Sequence, residues 1–338
     1  MDSEALRTGC LNAITEGISI ATGFLLGNEK NGIDADFHDP KDIQHRRQLQ
    51  LLDQLERDQG LSPEDLARHP GHPPIPEDRR THAIIQGQLK RTFPDCYVVG
   101  EEATKEEWLA AIQAPPQSLI LSVDAIDGST LYESLTFGYA CNLLAYRREE
   151  NDANRLLISM VANSSGFLAW YERYGQGAWV GNLYKTDQNT QLPRIKNVFE
   201  PRIREEFSED RVAVNAFDGE RRRLIAPLLA NDELKISTLG GAPAALGLIY
   251  GRLGALVCPK PQATYDTAYL PVLASLGIKI FTLKEGILLG LEDVLQFFDH
   301  IAGVGGAWTP DGVTKPVPPL IAARDPLLAG RLRTLLNS

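Results

Sequence analysis

The stretch from Ser118 to Ser134, S-L-I-L-S-V-D-A-I-D-G-S-T-L-Y-E-S, constrains this chain more than any other. An apolar run, Leu119 to Val123, stops at two carboxylates three residues apart, Asp124 and Asp127, followed by Gly128, Ser129 and Thr130. A short apolar run ending in a turn signal reads as a buried strand, so both acids are expected where a sheet meets solvent. Sheet ends are where α/β proteins put ligands. Two carboxylates held that close repel unless a proton or a cation sits between them, and oxygen-rich surroundings suit a hard cation such as Mg²⁺. The reading is a metal site, with an ordinary Asp-Gly turn as the plain alternative for the same string. An EF-hand loop does not fit, because Gly128 in its glycine position would put Ala125 and Ser134 where ligands are required.

At 338 residues the chain can bury a substantial core as one large domain or two tightly joined halves. Its formal charge of −10 argues against a nucleic-acid polymer as partner, since phosphate backbones are held by basic stripes. A small phosphate ester remains compatible, because bound cations supply positive charge locally. Cys10, Cys96, Cys141 and Cys258 lie far apart with no C-x-x-C pair, which favours buried reduced thiols over a zinc knuckle. The opening residues carry no basic segment, and the apolar stretch from Ile18 to Leu26 is too short and glycine-broken to span a membrane. The expected setting is the cytoplasm, with no membrane partner.

Leu6, Leu11, Ile14, Ile18, Ile20 and Leu25 recur at roughly helical spacing and predict an amphipathic helix over 5–26. Acids, histidines and prolines then dominate to Pro76, with one helix expected over about 40–57. Five of the six histidines fall in residues 38 to 82, but their spacing fits no standard ligand pattern. A long insertion near a site more often acts as a lid. A helix is expected from Glu77 to Phe93, with Asp78 at its N-terminal end, where capping is the plain explanation of a carboxylate. Cys96 to Val99 reads as a strand running into Gly100-Glu101-Glu102. Strands at Tyr139–Tyr146, Leu156–Ala162, Phe167–Tyr171 and Gly177–Val180 suggest an antiparallel meander. Three further β-runs follow, Val212–Ala216, Leu234–Thr238 and Ala255–Cys258. Gly240-Gly241-Ala242 opens a helix from Pro243 to Tyr250, and such small residues let a ligand approach free amide groups as well as pack against a sheet. Asp266 stands before the helical pattern Leu270, Val272, Leu273 and Leu276, as an N-cap or a metal ligand. A strand at Pro319–Ala323 and a helix at Pro326–Leu336 close the chain.

Asp78, Glu101, Asp124, Asp127 and Asp266 each lie at an element boundary, and together they would form an acidic pocket that only cations neutralise. At these residues the chain resembles the inositol monophosphatase family, within the lithium-sensitive, Mg²⁺-dependent phosphomonoesterases that include fructose bisphosphatases and phosphoadenosine phosphatases. The family's G-E-E is matched by Gly100-Glu101-Glu102, its D-P-I-D-G-T-T by Asp124-Ala125-Ile126-Asp127-Gly128-Ser129-Thr130, and its W-D-x-A by Tyr265-Asp266-Thr267-Ala268. Its T-D is matched by Glu77-Asp78. The resemblance covers nearly the whole chain except an insertion at about 31–76.

The resemblance implies an α+β fold, a layered αβαβα sandwich. It would divide into an N-terminal α+β half, 1–185, with the metal motifs and the insertion, and a C-terminal α/β half, 186–338, supplying Asp266. It implies two or three Mg²⁺ ions: Glu101, Asp124 and the Ile126 carbonyl on the first, Asp124, Asp127 and Asp266 on the second. Glu101 and Ser129, relayed to Asp78, would activate the attacking water. The substrate would meet Asp127, Gly128, Ser129, Gly241, Ala242 and Asp266. Lys260 stands where inositol phosphatases carry a glutamate, and would meet a second anion on the substrate or lie on the surface. The expected activity is hydrolysis of a small phosphate monoester by a homodimer. A bisphosphate nucleotide or sugar bisphosphate phosphatase and a non-catalytic metal-binding descendant are the alternatives.

Overall fold

Strands β2 (Leu119–Asp127) and β3 (Ala140–Arg148) are buried along almost their whole length, on alternating sides, so the sheet that holds them must be covered on both faces. The structure, a computed structural model, describes residues 3–25, 76–128, 139–150, 153–174, 177–184, 194–195, 209–216, 219–299 and 316–337. The helix expected over 40–57 and the insertion at 31–75 lie outside the described residues.

In chain order the elements are α1 (Ser3–Leu25), α2 (Pro76–Thr92), β1 (Tyr97–Gly100), α3 (Lys105–Ile112), β2 (Leu119–Asp127), β3 (Ala140–Arg148), β4 (Asn154–Asn163), β5 (Phe167–Glu172), β6 (Gly177–Tyr184) and β7 (Arg194–Ile195). The second half continues with β8 (Arg211–Val214), α4 (Gly219–Leu224), α5 (Ala226–Leu229), β9 (Lys235–Thr238), α6 (Gly241–Ile249) and β10 (Ala255–Cys258). A 3₁₀ turn (Tyr265–Thr267) then precedes α7 (Tyr269–Ser275), β11 (Lys279–Thr282), β12 (Leu288–Leu289), α8 (Leu291–Gln296), β13 (Leu320–Ala323) and α9 (Pro326–Leu336).

Strands β1 to β7 form one sheet in sequence order, parallel between β1 and β2 and antiparallel thereafter, so the expected meander is present. The second sheet runs β12-β11-β13-β10-β8-β9, with β10, β8 and β9 mutually parallel and the other pairs antiparallel.

Side-chain alternation along these strands builds three apolar layers. Leu121 and Val123 of β2, Leu143 of β3 and Met160 of β4 pack against Cys10, Ile14 and Ile18 of α1 and Ile85 and Leu89 of α2. The opposite face of the same sheet, through Ile120, Leu144 and Val161, meets Leu246 of α6 and Leu270 and Leu273 of α7, which also cover Leu256, Ile280 and Leu320 of the second sheet. The far face of that sheet, Val214, Val257 and Ile321, is closed by Leu228 of α5 and by Leu328 and Leu332 of α9. The result is an αβαβα sandwich. Each fully buried leucine, isoleucine or valine contributes about 1.5–3 kcal/mol, which makes these layers the main source of stability. All four cysteines are buried free thiols.

Gly100 ends β1 against β2, and its place is set by space. A Cβ there would lie 1.9 Å from the Val123 carbonyl oxygen, so no other residue lets β1 approach that closely. Gly100→Ala is therefore expected to destabilise the protein by about 1–3 kcal/mol, the range for overpacking a well-filled interior, measured as a lowered urea midpoint.

Candidate metal centre

Asp124 lies inside β2 and is 3% exposed, so the strand does not end at solvent before its acids as the sequence pattern suggests. A regular strand would also point residues 124 and 127 to opposite faces. The pairing with β3 removes that conflict: Asp124 faces Asn142 while Asp127 faces Ala140, so three steps on β2 oppose two on β3. This one-residue bulge turns both carboxylates to the same side. Asn142 Nδ2 donates to Asp124 Oδ2 at 3.2 Å, to Asp127 Oδ2 at 3.1 Å and to the Tyr265 carbonyl at 3.2 Å.

Glu101 is delivered by β1, whose parallel register puts Gly100 beside Val123. Asp266 comes from the 3₁₀ turn, where Ala263 N donates to its Oδ2 at 3.3 Å and Thr267 Oγ1 donates to the Ala263 carbonyl at 2.9 Å. One carboxylate oxygen from each of Glu101, Asp124 and Asp266 lies within 4.8 Å of the others. Asp127 is held differently: its Oδ2 accepts from Ala242 N at 2.6 Å, so it caps α6 from across the sandwich. Gly241, at φ +58, permits that approach, since a Cβ there would be 2.2 Å from the same oxygen.

Asp78 sits in the first turn of α2, 5% exposed, where it receives a backbone hydrogen bond from Ile126. Its Oδ1 has no partner among the described residues.

The electrostatics follow from packing so many acids out of water. Burial, then Glu102 and Asp127, pushes Glu101 up to about 8. Burial raises Asp127 to about 6, against the pull of the Ala242 amide and Asn142. Asp124 is raised by burial and then by Asp127, Glu101, Asp266 and Asp78. Burial followed by Glu101 and Asp127 raises Asp266, and burial followed by Glu102 and Glu101 raises Asp78. Every carboxylate in the group is held against its neighbours, a state that protons or a cation relieve. The donors are all oxygen and hard, which fits Mg²⁺ and does not fit a soft-ligand metal.

No protein-family model matches the sequence, and no curated protein matches it. Solved structures do. A Thermotoga maritima IMPase (inositol monophosphatase) matches over 86% of this chain and 93% of its own, with a TM-score of 0.52 at 14% identity. An IMPase/NADP phosphatase complexed with Mg²⁺ and phosphate matches over 87% of this chain and 92% of its own, with a TM-score of 0.51 at 15% identity. The fold is that of the inositol monophosphatases.

Within this inositol monophosphatase fold the other expected residues fall as follows. Ile126 is buried in the bulge, and Gly128, at φ +92, ends β2. Ser129 lies outside the described residues. Gly241 and Ala242 open α6 beside Asp127. Lys260 is ion-paired with Glu220 of α4, which occupies its ammonium group. His82 is buried one turn beyond Asp78 and joins no metal-binding group among the described residues; burial lowers it to about 4, and it stays neutral.

Two residues that the motifs passed over matter here. Asn142 bonds both β2 acids, and its trace in the sequence is a lone amide in the apolar run Ala140-Cys141-Asn142-Leu143-Leu144. Arg221 of α4 pulls Asp266 down against the other acids.

These shifts give a pH test. Without metal the folded state holds protons on Glu101 and Asp127 that the unfolded chain releases above its own values near 4.5 and 3.8. That stability is complete below those values and is lost as pH rises through about 6 for Asp127 and about 8 for Glu101. Mg²⁺ is expected to raise Tm, and to do so more at pH 8 than at pH 5. His82, lowered by burial, gives the opposite pH slope to the acids and gives it equally with and without metal, so the difference between melting curves in Mg²⁺ and in EDTA isolates the acids.

Proposed function

We propose that this protein is a Mg²⁺-dependent phosphatase of the inositol monophosphatase family that hydrolyses a small phosphate monoester. The observation that carries the reading is the convergence of Glu101, Asp124 and Asp266, from β1, β2 and the 3₁₀ turn, within 4.8 Å. The IMPase/NADP phosphatase of like fold, complexed with Mg²⁺ and phosphate, supports it.

Glu101, Asp124 and Asp266 would hold the cation, with Asp127 offering the carboxylate oxygen that does not cap α6. Bound Mg²⁺ lowers the pKa of water and neutralises charge on the phosphoryl group. Phosphoryl transfer needs positioning and charge neutralisation more than covalent chemistry, so a set of acids suffices on the protein's side. Glu101, which would also help hold the cation, would orient the attacking water and take a proton from it. Asp78, with an unpartnered Oδ1 behind the bulge, would support the same water through Ser129. The Gly128 amide and the start of α6 receive the ester.

Phosphate release from sugar, polyol and nucleotide phosphates is expected to require Mg²⁺ and to stop in EDTA. Asp124→Asn is expected to reduce kcat by about 10²- to 10³-fold, the effect of losing one electrostatic contact to a transition state. In metal-free buffer the same variant is expected to melt above wild type, since it relieves the repulsion described above. A wild type that releases no phosphate from any ester, or an Asp124→Asn enzyme of full activity, overturns the proposal.

A further inference from the structure

Asn215 continues β8 by one residue, its N–H donating to the Val257 carbonyl of β10 at 2.9 Å, so its backbone is fixed by the second sheet. The residue is 5% exposed, and its Oδ1 has no hydrogen-bond partner among the described residues. A buried polar atom left unpaired weakens the fold, so an apolar residue would serve it better here.

The amide lies across Gly240, the N-cap of α6. A Cβ at Gly240 would come within 2.9 Å of Asn215 Cγ and 3.0 Å of its Oδ1, just as one at Gly241 would strike Asp127. Two consecutive glycines thus thread the start of α6 between an amide of the second sheet and a carboxylate of the first. The helix start is itself unfinished: Gly240 supplies no side-chain cap, Pro243 has no N–H, and the Ala242 N–H is committed to Asp127. An amide oxygen without a partner among the described residues therefore faces a helix N-terminus at the edge of the acidic cluster.

We propose that Asn215 is a specificity-determining residue that takes a hydroxyl group on the alcohol half of the phosphate ester, a role that rests on the phosphatase reading above. A second anion at this position would face Asp127. A hydroxyl is neutral, donates to the amide oxygen and accepts from N–H groups, and the soft χ2 torsion of asparagine lets the amide turn its ends to meet it. An ester lacking that hydroxyl leaves the amide unpaired and is discriminated against.

The test compares wild type with Asn215→Ala, full chain with Mg²⁺, on glucose 1-phosphate and glycerol phosphate against p-nitrophenyl phosphate, which carries no hydroxyl group. The ratio of kcat/KM for the hydroxylated esters to that for the aryl ester is expected to fall about tenfold, the worth of one hydrogen bond. The metal-free Tm of Asn215→Ala is expected to equal or exceed that of wild type, because an unpaired buried polar group has been removed. Asn215→Ser, which keeps a smaller hydrogen-bonding group, is expected to fall between the two in that ratio. An unchanged ratio, or a Tm several degrees below wild type, overturns the assignment while leaving the phosphatase reading intact. A wild type inert toward both classes of ester overturns both.

Discussion

The bulge in β2 is the constraint on which the site depends. A strand is a poor place for two acids three residues apart, because its pleat sends them to opposite faces. One extra residue against β3 brings Asp124 and Asp127 to one side and sets them under a single amide, Asn142. The same shift puts the Ile126 backbone behind them, where Asp78 receives its hydrogen bond. What results is a group of buried like charges whose neutral partners, Asn142, the Ala242 amide and the Ala263 amide, orient the carboxylates without cancelling them. Arg221 offsets part of the charge at Asp266, and the rest is left to protons or a cation.

The surrounding architecture keeps that arrangement stiff. Glu101, Asp124 and Asp127 belong to the first sheet, Asp266 to a turn that leads into α7, and α6 and α7 lie between the two sheets. The middle layer therefore serves both as core and as the floor of the site. Ser159 illustrates the link: from β4 its hydroxyl donates to the Ala268 carbonyl, just past the Asp266 turn. Glycines at 100 and 241 let backbone and carboxylate come closer than any side chain would allow.

Much of this was legible in the sequence, for identifiable reasons. The long helices α1 and α2, the meander and the closing strand and helix carry strong periodicity over many residues. The acids announced themselves as charges ending apolar runs. What periodicity missed were short elements. α3 is eight residues long and is marked chiefly by its capping box, Thr104 with Glu107, a signature separate from the apolar pattern. Elements α4, α5, β11, β12 and α8 are each six residues or fewer and take their shape from the layers they cover. The bulge was hidden because register is a property of two strands, and a run of residues on one of them does not display it. Asn142 and Asn215 were missed for a related reason: a single amide within an apolar segment acquires meaning only from what the fold sets opposite.

One hydrogen bond joins distant parts of the chain in a way that bears on how the protein matures. The Asp127 to Ala242 contact spans 115 residues, and the acidic cluster reaches from Glu101 to Asp266. Contacts of such separation form late, because loop closure must come first. During synthesis the early strands emerge while Asp266 has yet to be made, so the acidic cluster is incomplete until then. The acidic cluster is thereby a property of distant segments brought together, and a truncated product stopping short of the 3₁₀ turn would lack one of its members.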